Sequence, residues 1–179
     1  GGPWSLEVNA PAATVAFGAS SGAANGRIGG LGGANRINAL VVTDAGTVTF
    51  NGEVYVTSLA QTAGTVETTF TQAVDAAGAI DLNGQAFTLN GGVTTTGGGT
   101  MTVTNAGVLT VADTAGTADT AGADLSLDGA FAQDGAGGVT IAGDVVTTGD
   151  TIDFAQAVTL SGNSAMPFSR LSVTDFTST

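Results

Sequence analysis

Residues 80–91 read IDLNGQAFTLNG and contain one short pattern twice: apolar, any, apolar, any, glycine. Apolar residues at alternate positions face one side of a strand, and Asn-Gly readily adopts the positive φ of a sharp corner. Each occurrence therefore predicts a short strand with one inward face, followed by a turn. The pattern occurs at Val48–Gly52, Ile80–Gly84, Phe87–Gly91, Leu125–Gly129, Val139–Gly143 and Val158–Gly162.

The spacing of these strands predicts their arrangement. Their first inward residues follow one another at steps of 5 to 8 residues, and three consecutive steps add up to 18 to 22 residues. A meander of antiparallel hairpins has no reason to keep a three-strand period, whereas a coil with three sides does. We therefore expect a parallel β-solenoid with three strands per coil of about 20 residues, in about seven or eight coils. The expected first inward residues are Val48, Val54, Leu59, Val66, Val74, Ile80, Phe87, Val93, Met101, Leu109, Leu125, Phe131, Val139, Val145, Ile152 and Val158.

The same alternation predicts which side chains are buried. Tyr55 falls at an outward position, between Val54 and Val56. The apolar positions expected in the core are Val48, Phe50, Ile80, Leu82, Leu125, Leu127, Val139, Ile141, Val158 and Leu160, together with Phe17, Phe87, Phe131 and Phe154.

Two stretches interrupt the pattern. Residues 19–36, rich in Gly, Ala, Ser and Asn, predict a protruding loop or a flattened coil. Residues 112–122 repeat Asp-Thr-Ala-Gly, and we interpret them as one side around Thr117 with a loosened corner. Residues 4–8, 38–44 and 170–175 resemble one another, which predicts that residues 1–179 are a single fragment of an array that continues beyond both ends.

Composition and charge exclude several classes of function. The formal net charge is −12, and the only cations are Arg27, Arg36 and Arg170, so the chain has no basic stripe for nucleic acid. With no Cys and no His, it cannot form a thiolate or imidazole metal site, a disulfide, or a Cys or Ser/His nucleophile pair. No apolar run approaches the roughly 18 residues of a membrane helix, so we expect a chain that does not span a membrane.

Carboxylates are the chemical groups left for catalysis, because some parallel β-helices cleave polysaccharides with acids in one groove. We interpret these acids as turn residues and solvated outward positions, since no arginine lies in their part of the sequence. The sequence therefore predicts no catalytic residue and no enzyme, and a polysaccharide-binding or polysaccharide-cleaving β-helix is the alternative. The acids concerned are Asp81, Asp124, Asp128, Asp144, Asp150 and Asp153.

A metal site is not predicted either. Residues 29–33 come nearest to a calcium-binding glycine repeat, but they lack the Asp that such a repeat requires. Hard cations prefer six to eight oxygen ligands, so an incidental surface calcium on carboxylates and turn carbonyls stays open. No other cofactor is expected.

Threonine runs raise one further alternative. On a solenoid, threonines spaced by one coil can order water, as ice-binding solenoids do, and one flat face of aligned Thr would favour that function. The competing interpretation is that Thr simply suits an exposed pleated surface. The runs are Thr47 and Thr49, Thr94–Thr96, Thr100, Thr102 and Thr104, and Thr147 and Thr148.

Four stretches of the sequence carry a resemblance to a known family: ALVVTDAGTVTFNGEVYV (39–56), LNGGVTTTG (89–97), DVVTTGDTIDFAQAVTLSG (144–162) and PFSRLSV (167–173). They resemble the repeats of large filamentous-haemagglutinin-like bacterial proteins, and the resemblance extends over about residues 4–176. It implies a right-handed parallel β-helix in a long exported surface fibre, secreted through a partner pore or an autotransporter barrel.

The resemblance also implies a role in adhesion. The expected partner is a host or neighbouring cell surface, with glycans among the candidate ligands, and the expected location is outside the cell, on the bacterial outer membrane. Excised coils expose apolar ends and unpaired strand edges, so end-to-end self-association is expected as well.

Overall fold

The computed structural model describes residues 4–18, 26–30, 35–113 and 124–161, and the backbone of two further strands at 170–173 and 176–178. The described chain is all-β, with one large sheet of eighteen strands. Every strand pairing in it is parallel. The predicted all-β parallel architecture is confirmed, and it is consistent with a β-solenoid. Among these residues, no helix has the length and apolar character needed to cross a membrane.

Most strands are short, because a corner residue follows each pair of inward apolar residues. The strands are β1 (Ser5–Phe17), β2 (Ile37–Phe50), β3 (Val54–Gln61), β4 (Glu67–Phe70), β5 (Val74–Ala76), β6 (Ile80–Gly84), β7 (Ala86–Leu89), β8 (Val93–Thr95), β9 (Met101–Asn105), β10 (Leu109–Val111), β11 (Leu125–Leu127), β12 (Phe131–Gln133), β13 (Val139–Ile141), β14 (Val145–Thr147), β15 (Thr151–Phe154), β16 (Val158–Leu160), β17 (Arg170–Val173) and β18 (Phe176–Ser178).

The strand pairings form three parallel ladders, A, B and C. We call each strand in a ladder a rung, and we define each ladder by the residues that pair between neighbouring rungs. Ladder A joins Leu6, Leu40, Leu59, Ile80, Met101, Phe131, Ile152 and Leu171. Ladder B joins Val15, Val48, Thr68, Phe87, Leu109, Val139, Val158 and Phe176. Ladder C joins Ile28, Val54, Val74, Val93, Leu125 and Val145.

One connection from ladder B to ladder C is longer than those of the neighbouring rungs. β7 and β8 are joined by residues 90–92, and β13 and β14 by residues 142–144, but β10 and β11 are joined by residues 112–124. β10 pairs with β7 and β13 on ladder B, and β11 pairs with β8 and β14 on ladder C. The strands before and after this stretch therefore lie on the same two ladders as β7 and β8, and the side predicted around Thr117 stays a prediction. Thr117 itself lies outside the described residues.

The first irregular stretch is described in part, at residues 26–30, 35 and 36. Ile28 is buried and forms a parallel bridge with Val54. Its amide donates to the Glu53 carbonyl at 2.9 Å, and its carbonyl accepts from the Tyr55 amide at 2.8 Å. These residues lie against ladder C as a flattened coil would, and the rest of 19–36 is outside the described residues.

The core runs along the inside of all three ladders. The first inward residue of nearly every strand is buried, and the second inward residue, two positions later in the same strand, is mostly buried as well. Of the ten residues predicted first for the core, nine are fully buried and Leu160 is partly buried against the core. Alternation within each strand is therefore a reliable guide to burial here, because the strand period of two cannot shift without exposing every apolar residue.

Val66 was predicted to be an inward residue, and this prediction is wrong. It is 55% exposed, and β4 begins one residue later and turns Thr68 and Phe70 inward. The inward hydroxyl of Thr68 donates to the Oε1 atom of Gln61 at 2.8 Å. A satisfied hydroxyl can be buried at little cost, so Thr68 takes the position that an apolar pattern assigns to valine.

Phenylalanines form a continuous stack inside ladder B. The ring centroids of Phe17 and Phe50 are 4.9 Å apart, and those of Phe50 and Phe70 are 4.7 Å apart, with nearly parallel planes. These distances equal the spacing of about 4.8 Å between neighbouring strands, so parallel pairing itself sets the stacking distance. The buried state predicted for Phe50, Phe87, Phe131 and Phe154 is confirmed, Phe17 is partly buried, and Phe70 was missed with Val66.

Buried amides and hydroxyls close several corners of the core. The Nε2 atom of Gln133 donates to the Oδ1 atom of Asn105 at 2.7 Å and to the carbonyl of Gly135 at 2.9 Å. Asn105 in turn donates to the carbonyl of Gly107 at 2.7 Å. These side chains lie at the corner where the backbone passes from one ladder to the next. They donate hydrogen bonds to corner carbonyls that lie outside the paired strands.

The three similar segments of the sequence contribute strands to the same ladder. Leu6 pairs with Leu40, and Leu171 pairs with Ile152, so the three similar segments all lie on ladder A, as their likeness suggests. On the first rung, Trp4 is 73% exposed, beside the beginning of β1.

Candidate functional site

A column of threonines runs along the outside of ladder B. Each lies between two inward residues of its strand, in the triplets VTF, TTF, FTL, LTV, VTI and VTL. The strand register stacks these positions directly over one another through six consecutive rungs, and the backbone of Thr177 pairs with Thr159 on the next rung. The column is Thr49, Thr69, Thr88, Thr110, Thr140 and Thr159.

The hydroxyls of this column are mostly left to solvent. The side chains from Thr49 to Thr159 are half-buried. Thr88 donates to the Oε1 atom of Glu67 at 2.6 Å. Thr49, Thr69, Thr110 and Thr140 have no side-chain hydrogen bond to the part of the chain that the structure describes. Four rungs therefore present a hydroxyl that is left to solvent.

Charge is distributed unevenly among the three ladders. Within the strand segments that pair in ladder B, Glu67 is the one ionised residue among the described side chains, and Asp44 lies in β2 ahead of its ladder B segment. Ladder A carries Glu7, Asp81 and Asp153 on its strands, and the strands and corners of ladder C carry most of the other acids. The outside of ladder B is thus a nearly uncharged strip on a protein of net charge −12.

The threonine runs singled out in the sequence do not build this column, apart from Thr49. Thr95 and Thr147 point inward and are buried, and Thr102 lies on ladder A. The signal that finds the column is the repeated triplet of apolar, Thr, apolar in register, which becomes visible once the strands are assigned to ladders.

The two candidate acids on the strands of ladder A are not brought together. Asp81 and Asp153 are both exposed on ladder A, as predicted, but Thr102 and Ala132 separate them along the column. Three strand spacings put these two carboxylates about 14 Å apart. Paired glycosidase carboxylates lie closer than that, at about 5 to 10 Å.

Asp124 is a correction to the prediction that these acids are solvated. It is 6% exposed, and its Oδ2 atom accepts a hydrogen bond from the Asp144 amide at 2.8 Å. Gly143 leaves the space for this contact, since a Cβ atom there would collide with the Asp124 carboxylate. Asp124 therefore fixes a corner of ladder C.

Asp128 has a similar role in the next corner. Its Oδ2 atom accepts from the Gly98 amide at 2.7 Å, and its Oδ1 atom accepts from the Thr148 hydroxyl at 3.2 Å. Gly98 has a φ of +76°, a conformation that glycine adopts without strain. The carboxylate ties together corners of adjacent rungs, in keeping with the predicted turn role of Asp128.

The described arginines lie in a mixed cluster on ladder C that the sequence did not reveal. Arg27 pairs with Glu53 at 2.6 Å, and Arg36 pairs with the Oδ2 atom of Asp75 at 2.8 Å. Arg36 also donates to the backbone carbonyls of Val56 and Asp75. Tyr55 lies between the two pairs, and burial, followed by the Glu53 carboxylate, raises its pKa. Tyr55 points outward as predicted but is half-buried.

This cluster holds the flattened coil in place. Both arginines come from the irregular stretch, and both acids come from the regular strands or corners beneath it. All four charged side chains are partly exposed, between 15% and 29%. Each carboxylate is already paired with an arginine, so the cluster anchors the described residues 26–30, 35 and 36 and lacks a free acid.

Groups of carboxylates and surface grooves are the other features of the described chain that could bind a ligand. No group of three or more carboxylates that could hold a metal ion occurs among the residues with described positions. A shallow groove of about 570 Å³ lies beside the long connection, between corners 71–73 and 90–92 and residues 112–113. Its polar side chains include Gln72, Asn90 and Asp113, and it has no aromatic platform for a sugar ring.

No protein-family model, no curated protein and no solved structure matches this chain.

Proposed function

We propose that the chain is a rod segment of a large bacterial surface fibre, built as a right-handed parallel β-helix with three strands per coil of about 20 residues. The observation that carries this proposal is the unbroken register of ladders A and B over eight rungs. Rungs added in one direction make a structure that grows in length without growing in width.

The spacing of the pairings supports the proposed coil size, and a general rule for crossovers supports the proposed handedness. From Leu40 onward, neighbouring rungs are 18 to 22 residues apart, except across residues 112–124. Crossovers between parallel strands are right-handed in about 98% of cases, which supports the right-handed form.

An adhesive role rests on the likeness to filamentous-haemagglutinin-like repeats. An exported rod would carry a binding region away from the cell, towards a host or neighbouring surface and its glycans. Its acidic surface disfavours nucleic acid as a partner and keeps rods apart laterally. At the rod ends, apolar rungs favour end-to-end self-association.

We further propose that the chain has no catalytic activity. The exposed acids Asp81 and Asp153 are too far apart to act as a pair, and Asp124 and Asp128 hold corner amides. Incubation with pectin, alginate or hyaluronan should release no product. Cleavage that is lost on changing Asp153 to Asn would overturn this part of the proposal.

Two experiments test the rod and its adhesive role separately. Electron microscopy of a tandem repeat of the chain should show particles that lengthen in proportion to copy number at constant width; compact particles would contradict the rod. Beads coated with the chain should then bind cells more strongly than beads coated with an unfolded variant such as Leu127→Asp. Equal binding would remove the adhesive role and leave the rod intact.

A further inference from the structure

The threonine column of ladder B has no part in the rod as described above. It is continuous, it is nearly uncharged, and its hydroxyls at Thr49, Thr69, Thr110 and Thr140 bond to no described protein group. We propose that this face is a binding site for the surface of ice. The inference is independent of adhesion, because it concerns a different ligand and a face defined by the ladder register alone.

Regular spacing is the first argument. Parallel pairing places the threonines of successive rungs about 4.8 Å apart along a line. A crystal of water repeats its oxygen atoms with a comparable period, so a hydroxyl on every rung can take the place of a lattice water. The register of ladder B skips no rung between Thr49 and Thr177.

Rigidity is the second argument. Each threonine is half-buried between two inward neighbours of its own strand, and its β-branch restricts χ1. The hydroxyls are therefore held in place before they meet a lattice, and binding orders few additional side chains. Flexible polar side chains such as Lys or Gln would lose more entropy on the same surface.

The surroundings of the column are the third argument. Charged side chains bind water in their own hydration shells, which do not fit a lattice, and the described segments that pair in ladder B carry only Glu67. At its leading corner, Val66 and Val108 are 55% and 49% exposed, and they are two of the four exposed large hydrophobic residues in the described chain. Methyl groups that order water and hydroxyls that bond to it thus lie side by side.

A protein partner is a weaker match for the same face. Protein interfaces depend on buried aromatic or arginine anchors, and the strands of ladder B present neither on their outer side. A second copy of this chain and a flat uncharged polysaccharide such as cellulose remain as occupants that the experiment separates from ice.

The test compares two variants at equivalent positions on different ladders. Thr110→Lys places a charge in the middle of the threonine column, and Thr102→Lys places one on the outside of ladder A in the preceding strand. Both threonines are half-buried and outward. Fluorescently labelled wild type should enter slowly growing ice, Thr102→Lys should enter it equally, and Thr110→Lys should be depleted at least about tenfold.

Circular dichroism and thermal melting show that each variant is folded, and Thr140→Tyr gives a second disruption of the column should Thr110→Lys unfold. Exclusion of the folded wild type from ice would overturn the proposal, and so would equal incorporation of Thr110→Lys and Thr102→Lys. Binding to cellulose particles without ice incorporation, or a wild-type dimer in sedimentation that Thr110→Lys alone dissociates, would assign the face to those occupants instead.

Discussion

Phe17, Phe50 and Phe70 fill the inside of ladder B by stacking, whereas Asn105 and Gln133 fill a corner of the same interior by hydrogen bonding. The stack would survive a slip of one rung, because ladder B is apolar at almost every inward position. The amide corner would not, because a slip leaves buried donors and acceptors unpaired. Apolar stacking thus stabilises the solenoid in any register, and the polar corners select one.

The largest expected effect comes from placing a charge in the apolar interior. Leu127→Asp should lower the free energy of unfolding by about 5 kcal/mol, because the carboxylate would be buried without a partner. Ser126→Asp is the matched control, since Ser126 is the exposed neighbour in the same strand. Urea unfolding measures both, and a Leu127→Asp variant as stable as Ser126→Asp would show that the register is wrong.

Breaking the aromatic stack should have the next largest effect. Phe50→Ala removes the middle ring and leaves a cavity between Phe17 and Phe70, which should cost about 3 to 5 kcal/mol. Phe50→Leu keeps the site apolar and should cost clearly less. Thermal melting compares the two, and equal losses would mean that stacking adds nothing beyond apolar volume.

Removing one partner of the buried hydrogen bond between Thr68 and Gln61 should lower the free energy of unfolding moderately. The size of the loss should depend on whether the other partner is still present. Thr68→Val leaves the buried Oε1 atom of Gln61 without its hydroxyl donor and should cost about 1 to 3 kcal/mol. In the double variant with Gln61→Met, both partners are gone, and the loss should be smaller than the sum of the single losses. Additive losses would contradict the proposal that buried polar pairs select one strand register.

The smallest expected effect concerns Tyr55, a polar group buried only in part. Because its pKa is raised in the folded protein, an unfolded chain releases the phenolic proton first, at about pH 10. This contribution to stability is complete below pH 10 and is lost as the pH rises through the folded pKa. Stability measured from pH 8 to 11 should therefore fall more for the wild type than for Tyr55→Phe, and parallel curves would contradict the shift.

Much of the fold follows from the sequence because strand alternation and corner glycines are local signals. The failures have physical causes that lie outside one strand. Val66 and Thr68 are both β-branched, and only the contact between Thr68 and Gln61, on neighbouring ladders, shows which of them is inward. Residues 112–124 contain a repeat of their own, and only the pairing of β10 and β11 with their neighbours shows which ladders the strands on either side of it join.

The threonine face was less predictable than the core. Its members are about one rung apart in sequence, so no window of a few residues contains two of them. Runs such as Thr94–Thr96 attract attention, yet alternation sends their middle residue, Thr95, into the core. The buried state of Asp124 was equally hidden, because it depends on an amide twenty residues away.

Each coil adds one strand to each of the three ladders, so the length of this molecule can change only by whole coils. Residues 74–92 supply one rung to each ladder, so their excision would set Val93 on Val54, Met101 on Leu59 and Leu109 on Thr68. Every new contact would again join inward residues to inward residues. A gene encoding such a chain can therefore lengthen or shorten its product by recombination between neighbouring repeats, by about 4.8 Å at each event.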